Sequence, residues 1–137
     1  MIDQLTGSLN VYEQAIGLRH ERQQVLTSNI ANADTPGYKA RDFDFAGELQ
    51  KAVDQGGSGN GLALSRTSER HIEGQAAGAG SVDLAYRVPA QPSLDGNTVE
   101  MNRERAAFSD NSVRYQAAVS MLDSRIQGLK SAMQPAR

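Results

Sequence analysis

Residues 25–45 read Val25-Leu26-Thr27-Ser28-Asn29-Ile30-Ala31-Asn32-Ala33-Asp34-Thr35-Pro36-Gly37-Tyr38-Lys39-Ala40-Arg41-Asp42-Phe43-Asp44-Phe45. An apolar periodicity that runs up to Ala33 breaks off inside this stretch. Thr35 precedes Pro36, and a proline ring pushes its predecessor out of the helical region, so a helix must stop near Asp34. Pro36 and Gly37 suit the two central positions of a type II turn, where glycine supplies a positive φ at little steric cost. Tyr38 follows as an aromatic anchor, with Phe43 and Phe45 alternating about Asp44. The stretch ends a long helix and aims the chain in a defined direction.

Upstream of the break, steps of three and four residues pick out Ile2, Leu5, Leu9, Tyr12, Ile16, Arg19, Gln23, Leu26, Ile30 and Ala33. At the other end the same steps give Met101, Arg105, Phe108, Ser112, Tyr115, Val119, Leu122, Ile126, Leu129 and Met133. Eight of ten are apolar in each set, where a hydrophobic content of 39% supplies about four by chance. Spacing of this kind over four heptads is that of a coiled-coil seam. The predicted fold class is mainly α: two long terminal helices, each about 50 Å at 1.5 Å per residue, pair antiparallel. One shared seam without a third layer is marginal. The N-terminal helix also carries a second stripe, Val11, Ala15, Leu18 and Val25, so it needs more than one partner. Other subunits are the expected partner, the alternative being a middle segment that folds back over the stripe.

That middle is of a different kind. Residues 34–97 hold ten of the 13 Gly and three of the four Pro. The chain thus divides into an N-terminal helix (1–33), a turn-rich, partly β-like middle (34–97) and a C-terminal helix (98–137), together one structural unit. Glu48 to Val53 reads as a short helical turn, and Gln55 to Gly61 as a Gly/Ser loop. The G-x-G-x-G string in that loop has no preceding strand and no following Lys-Ser/Thr, so it is not a phosphate cradle. Val82, Leu84, Tyr86 and Val88 alternate as a strand would, up to Pro89. Asp95-Gly96 signals a turn, after which Asn97 or Thr98 can cap the C-terminal helix.

Composition excludes much chemistry. A chain of 137 residues suits one domain, and 14 basic against 16 acidic residues argue against a nucleic-acid partner. The absence of Cys removes disulfides, thiolate catalysis and Cys-based metal sites. No run approaches the roughly 18 apolar residues of a membrane span, and Met1 to Gly7 lack the basic and apolar regions of a cleavable signal peptide. His20 and His71 lie far apart and in no metal-ligand pair. Asp42, Asp44 and Glu48 lack calcium-loop spacing and read as a solvated or cross-subunit charged loop. Ser28 and His20 come without a nucleophile elbow. The expectation is no catalytic residue, no metal and no cofactor. Asn29 and Asn32, one turn apart, are candidates for cross-subunit amide bonds or for simple exposure, and Tyr115 for the core.

The string Ala31-Asn32-Ala33-Asp34-Thr35-Pro36-Gly37-Tyr38 resembles the A-N-x-x-T-P-G-Y signature near the N-terminus of bacterial flagellar axial proteins. Within that group the chain is most similar to the basal-body rod proteins, and among them to the proximal rod. The resemblance runs through Lys39 to Phe45, resumes from Thr67 to Ile72 around His71, and closes on Asp95 to Glu100, Arg114 to Ala117 and Gly128 to Met133. It implies a non-enzymatic structural subunit of the proximal rod, polymerising through its terminal helices into the drive shaft and its export channel. The implied site is the signature turn (Ala31, Asn32, Thr35, Pro36, Gly37, Tyr38) with two assembly seams. One is Leu5, Leu9, Tyr12, Ile16, Leu26 and Ile30; the other is Phe108, Tyr115, Val119, Leu122, Ile126 and Leu129. Implied partners are copies of the chain, sibling rod proteins, the small adaptor FliE, the membrane ring of the basal body and the flagellar type III export apparatus. The implied location is the periplasmic rod, reached without a cleaved signal peptide. Arg19 and Gln23 interrupt the first seam, either as solvent-exposed residues or as a register-setting contact with a neighbour or the tube lumen. Arg105 stands where related helices carry an apolar residue. The rival reading from the same seams is a soluble coiled-coil adaptor or chaperone that binds one partner helix; a third is a hydrolase built on His20 or His71.

Overall fold

The computed structural model describes residues 2–56, 82–91 and 93–133, the side chains of residues 2–6, 8 and 55 excepted. The Gly/Ser loop beyond residue 56, the stretch around His71 and the side chain of Leu5 lie outside the described residues. Five elements follow in order: α1 (Ile2–Ala31), β1 (Arg41–Asp42), α2 (Phe45–Gly56), β2 (Ala85–Tyr86) and α3 (Met101–Ala132). The two long helices have 30 and 32 residues, hence lengths of about 45 and 48 Å. They pack antiparallel: Asn29 meets Glu104, Arg19 meets Asn111, and Leu9 shares a groove with Ile126 and Leu129. The fold class is the expected one. No helix among the described residues is long and apolar enough to cross a membrane.

The register of α3 differs from the expected one. Glu104 and Asn111 are buried where Arg105 and Ser112 had been placed, and Arg105 is exposed. The cause is physical: α3 turns polar side chains into the seam at both levels, so an apolar count steps past them to their neighbours. On α1 the fully buried residues are Leu26 and Asn29, and Leu18 from the second stripe joins the core.

The middle does fold back, in part. α2 is a 12-residue helix where only a turn was expected, and it packs along α1. Asp44 starts it, its Oδ1 accepting from Ala46 N at 3.1 Å and its carbonyl from Glu48 N at 3.0 Å. Phe45, Leu49 and Val53 recur every four residues and are half-buried. The Phe45 ring lies 3.6 Å from the guanidinium carbon of Arg19, so the first turn of α2 is held to α1 by a cation–π contact.

The strand expected over 82–88 shortens to two residues, antiparallel to β1 with Arg41 opposite Tyr86 and Asp42 opposite Ala85. Its partner leaves too soon for more, because Phe43 and Asp44 already turn into α2. One bond extends the pairing, from Arg87 N to Ala40 O at 2.9 Å. α3 begins at Met101 with Glu100 in the capping position and no side-chain cap. Asn97 and Thr98, expected as that cap, bond instead to the segment that follows α1 at the same end of the helix pair.

Candidate assembly junction

The signature segment forms the expected turn. Gly37 has φ +73°, and Tyr38 N donates to Thr35 O at 3.2 Å. A second turn, with Gly96 at φ +72°, lies against it: a Cβ on Gly96 would come to 3.9 Å from the Gly37 Cα. Backbone and side chains stitch the two together. Gly37 N donates to Asp95 O (2.9 Å), Thr98 N to Tyr38 O (3.0 Å), and Lys39 Nζ to Gly96 O (2.6 Å). Ala40 N donates to Thr98 Oγ1 at 2.8 Å. Asn97 is buried, and its Nδ2 sits within hydrogen-bond distance of Asn32 O, Ala33 O and Thr35 O, at 3.0, 2.7 and 3.0 Å. Asn32 and Ala33 are the first two residues past the end of α1, and Thr35 opens the turn, its carbonyl also accepting from Tyr38 N. Asn97 therefore caps the C-terminus of α1, not the N-terminus of α3.

One turn back along α1, Asn29 is fully buried and bonded within its own chain rather than to a neighbour. Its Nδ2 donates to Arg41 O (2.7 Å) and Glu104 Oε2 (3.1 Å). Its Oδ1 accepts from Arg41 N (3.1 Å) and from the Tyr38 hydroxyl (3.4 Å). All four hydrogen-bonding positions of the amide are used. The other carboxylate oxygen of Glu104 accepts from Arg87, which also reaches Asp42. Arg22 closes the chain on Asp42 as a fork, Nε to Oδ1 at 3.0 Å and Nη2 to Oδ2 at 2.9 Å. Three elements, α1, β1 and α3, and the residue that follows β2 are thereby joined through Arg22, Asp42, Arg87, Glu104 and Asn29.

Burial acts to raise the Asp42 carboxyl, but hydrogen bonds from Arg22, Phe43 N and Arg87 overcome it and hold the group below the ordinary aspartate value. The same bond to Asp42 raises Arg22. Asp42 is thus an internal ion-pair residue, Asp44 a helix cap and Glu48 a partner of Lys51 at 2.7 Å, not a shared charged loop.

A second polar layer sits at mid-helix. Arg19 Nη1 donates to Asn111 Oδ1 (3.3 Å), Asn111 Nδ2 to Arg19 O (2.9 Å) and Gln23 Oε1 (2.7 Å), and Gln23 Nε2 to Ser112 Oγ (3.0 Å). Arg19 and Gln23, which interrupt the apolar seam, are half-buried and bonded to α3 of their own chain. They fix α1 against α3 inside one chain. Burial, aided by Arg114 and Arg22, lowers the Arg19 pKa.

The proposed seams are brought together unevenly. Leu26 is fully buried, while Leu9, Tyr12, Ile16, Ile30, Phe108, Leu122 and Leu129 are half-buried. Tyr115, Val119 and Ile126 are exposed. Towards the free ends the pair opens into a groove of about 490 Å³ lined by Leu9, Ile126, Leu129, Lys130 and Met133. In the signature turn Ala31, Thr35, Pro36 and Gly37 face solvent, and Asn32 and Tyr38 are half-buried. His20 is exposed, 3.1 Å from Gln24 Nε2, and no cluster of three potential metal ligands occurs among the described residues. Periodicity missed Arg22, Arg87, Asn97, Glu104 and Asn111. A usable signal existed for Arg87 alone, since strand alternation sets it opposite Leu84, Tyr86 and Val88.

Comparison with known proteins supplies the class. The family model described as Flagella basal body rod protein matches residues 9–39, which run from the α1 seam through the glycine turn. Curated relatives extend the match to nearly the whole chain. Over 135 residues, 98% of each chain, it is 50% identical to the flagellar basal body rod protein FlgB of Yersinia enterocolitica and 51% identical to that of Salmonella typhimurium. The FlgB of Escherichia coli strain K12 is 50% identical over the same coverage. The chain belongs to the FlgB family of flagellar basal body rod proteins.

Proposed function

We propose that the chain is a non-enzymatic structural subunit of the proximal flagellar rod, polymerising through α1 and α3 to build the drive shaft and its export channel. The observation that carries this reading is half-identity with rod proteins over 98% of the length, in a helix pair that leaves its distal apolar side uncovered. The seam residues Leu5, Leu9, Tyr12, Ile16, Leu26 and Ile30 on α1, with Phe108, Tyr115, Val119, Leu122, Ile126 and Leu129 on α3, serve as the assembly surface and its support. The signature turn from Ala31 to Tyr38 sets the angle at which the middle leaves the tube. Membership of the rod family places the chain among other rod components of the basal body, in the periplasmic rod. A FliE-like adaptor, the membrane ring and the type III export apparatus are the finer partners in this reading.

The test is deletion with complementation. Cells lacking the chain are expected to stop at the membrane ring with no rod, and the intact chain to restore it. Ile126→Asp changes an exposed residue, so it is expected to leave the monomer folded and exported while abolishing incorporation. Normal motility in that variant would refute the seam. A fixed small oligomer, even when mixed with sibling rod proteins, favours the adaptor reading instead.

A further inference from the structure

Asp95-Gly96 is the single Asp–Gly pair among the 137 residues, and the junction uses both members. Gly96 takes φ +72°, a conformation that favours glycine, in the turn packed on Gly37. Asp95 Oδ1 accepts from Asn97 N at 3.1 Å and so orients the residue that caps α1.

The same pair carries reactive chemistry. Glycine has no side chain to hold its amide nitrogen away from the preceding carboxyl. When that carboxyl is protonated, Gly96 N can bond to Asp95 Cγ. The amide proton and the hydroxyl leave together as water, and a five-membered succinimide closes. Water then opens the ring. Addition at Cγ restores aspartate; addition at the former main-chain carbonyl carbon leaves the chain running through Cβ and Cγ, an isoaspartate. Over the two steps no mass is gained or lost.

Closure of the junction opposes the attack without burying the site. Asp95 is exposed and neighbouring Leu94 fully so, hence water has free access. What is fixed is the peptide plane between Asp95 and Gly96. Its oxygen accepts from Gly37 N at 2.9 Å, and its N–H donates to Ser93 O at 3.2 Å. The plane must rotate before the nitrogen can face Cγ, and rotation breaks both bonds. The carboxyl is tethered as well. The bond from Asn97 N holds it below the ordinary aspartate value, which favours the ionised form, in which no hydroxyl is ready to leave.

Isoaspartate would in turn undo the junction. The backbone between residues 95 and 96 becomes one carbon longer, and the carbonyl that faced Gly37 N becomes a pendant carboxylate. Asn97 reaches Asn32 O, Ala33 O and Thr35 O from a position just past this link. Thr98, one residue further, bonds to Tyr38 O and Ala40 N.

We propose that Asp95 is a spontaneous modification site of the open chain: it isomerises to isoaspartate until its turn docks on Gly37, and a chain isomerised there no longer closes the junction. The turn then sets a limit on how long a chain can stay open and still fold.

The test holds the full chain at about pH 5, where part of an unfolded aspartate is protonated, in buffer and in urea. Isoaspartate is read on the tryptic peptide Val88–Arg103, as a new retention time at unchanged mass that resists an aspartate-specific protease at residue 95. That peptide excludes Asn60-Gly61, whose deamidation would also yield isoaspartate. Isomerisation is expected to be at least tenfold faster in urea than in buffer. Asn97→Ala removes three bonds that dock the turn, and is expected to raise the rate in buffer at least threefold. Asp95→Glu is expected to give no such product in urea, because a six-membered ring closes poorly. Equal rates for the parent in buffer and in urea overturn the proposal. The purified isoaspartate form, returned to buffer, is expected to melt below the parent; coincident midpoints would show that the altered link still closes, and overturn it too.

Discussion

Asn29 and Glu104 lie 75 residues apart in the chain, are both fully buried, and share a hydrogen bond of 3.1 Å from Nδ2 to Oε2. Each needs the other: the carboxylate would otherwise face the amide edge of α1 with one oxygen unpaired, and the amide would lose its cross-helix acceptor. Removing one member of a buried ionic set leaves an uncompensated charge, which costs about 3–5 kcal/mol. Glu104→Ala is therefore expected to lose that amount in urea unfolding, because Arg22 and Arg87 are left to share the single carboxylate of Asp42. Asn29→Ala, which strands a neutral set plus one carboxylate oxygen, is expected to lose about 1–3 kcal/mol. A Glu104→Ala variant as stable as the parent would show that the network contributes nothing.

Asn97 separates size from chemistry. Asn97→Ala removes the cap on the end of α1 and is expected to cost about 1–3 kcal/mol. Asn97→Asp keeps the shape but sets a carboxylate against three carbonyl oxygens, so its loss should exceed that of alanine. The two unfolding midpoints, compared at pH 7, decide the order.

Polar seams trade stability for a single register. Asn111→Leu should keep or raise the helix content, yet free α1 and α3 to shift past one another. The measurement is the amide spectrum of residues near Gln23 and Ser112, where doubled or broadened resonances are expected. One sharp set of signals would assign the register to the Asn29–Glu104 layer alone.

Acid should weaken the fold through Asp42. Its pKa is depressed in the folded state, so the unfolded chain takes up the proton first as pH falls. The stabilisation is complete above the unfolded value of about 3.9 and is lost as pH drops through the folded value. Asp42→Asn is expected to be less stable than the parent at pH 7, with the gap shrinking below about pH 4. A gap that stays constant down to pH 2 would separate the stability of the site from the charge of Asp42.

Gly37 isolates backbone conformation. A Cβ there would meet nothing within 4 Å, so the φ of +73° is the sole obstacle to a side chain. Gly37→Ala should cost about 1 kcal/mol, and Gly37→Asn less, since Asn tolerates the left-handed region. Thermal midpoints in the order Gly, Asn, Ala are the expected result.

The long helices and the glycine turn were legible because each rests on local rules: period, proline sterics and positive φ. Gly37 and the helix stop before Pro36 needed no knowledge of the rest of the chain. Asn97 and Glu104 were not legible, because their roles depend on carbonyls and charges that only the closed fold brings near. The seam count also assumed that apolar residues mark the interior. At Glu104 and Asn111 the interior is polar, and the count slipped by one residue. The length of α2 was hidden for a related reason, since Asp44 reads as a charge until the backbone shows it starting a helix.

Arg19 reaches Asn111 across 92 positions and Asn32 reaches Asn97 across 65. No N-terminal piece of the chain short of residue 104 contains the cross-helix partner of Asn29, and none short of residue 112 completes the second polar layer. Helical turns form locally in about a microsecond or less, whereas contacts of this separation wait for the far end. The contacts that close the helix pair are therefore carried in the last third of the chain. An N-terminal fragment that lacks them has no second long helix on which α1 can close.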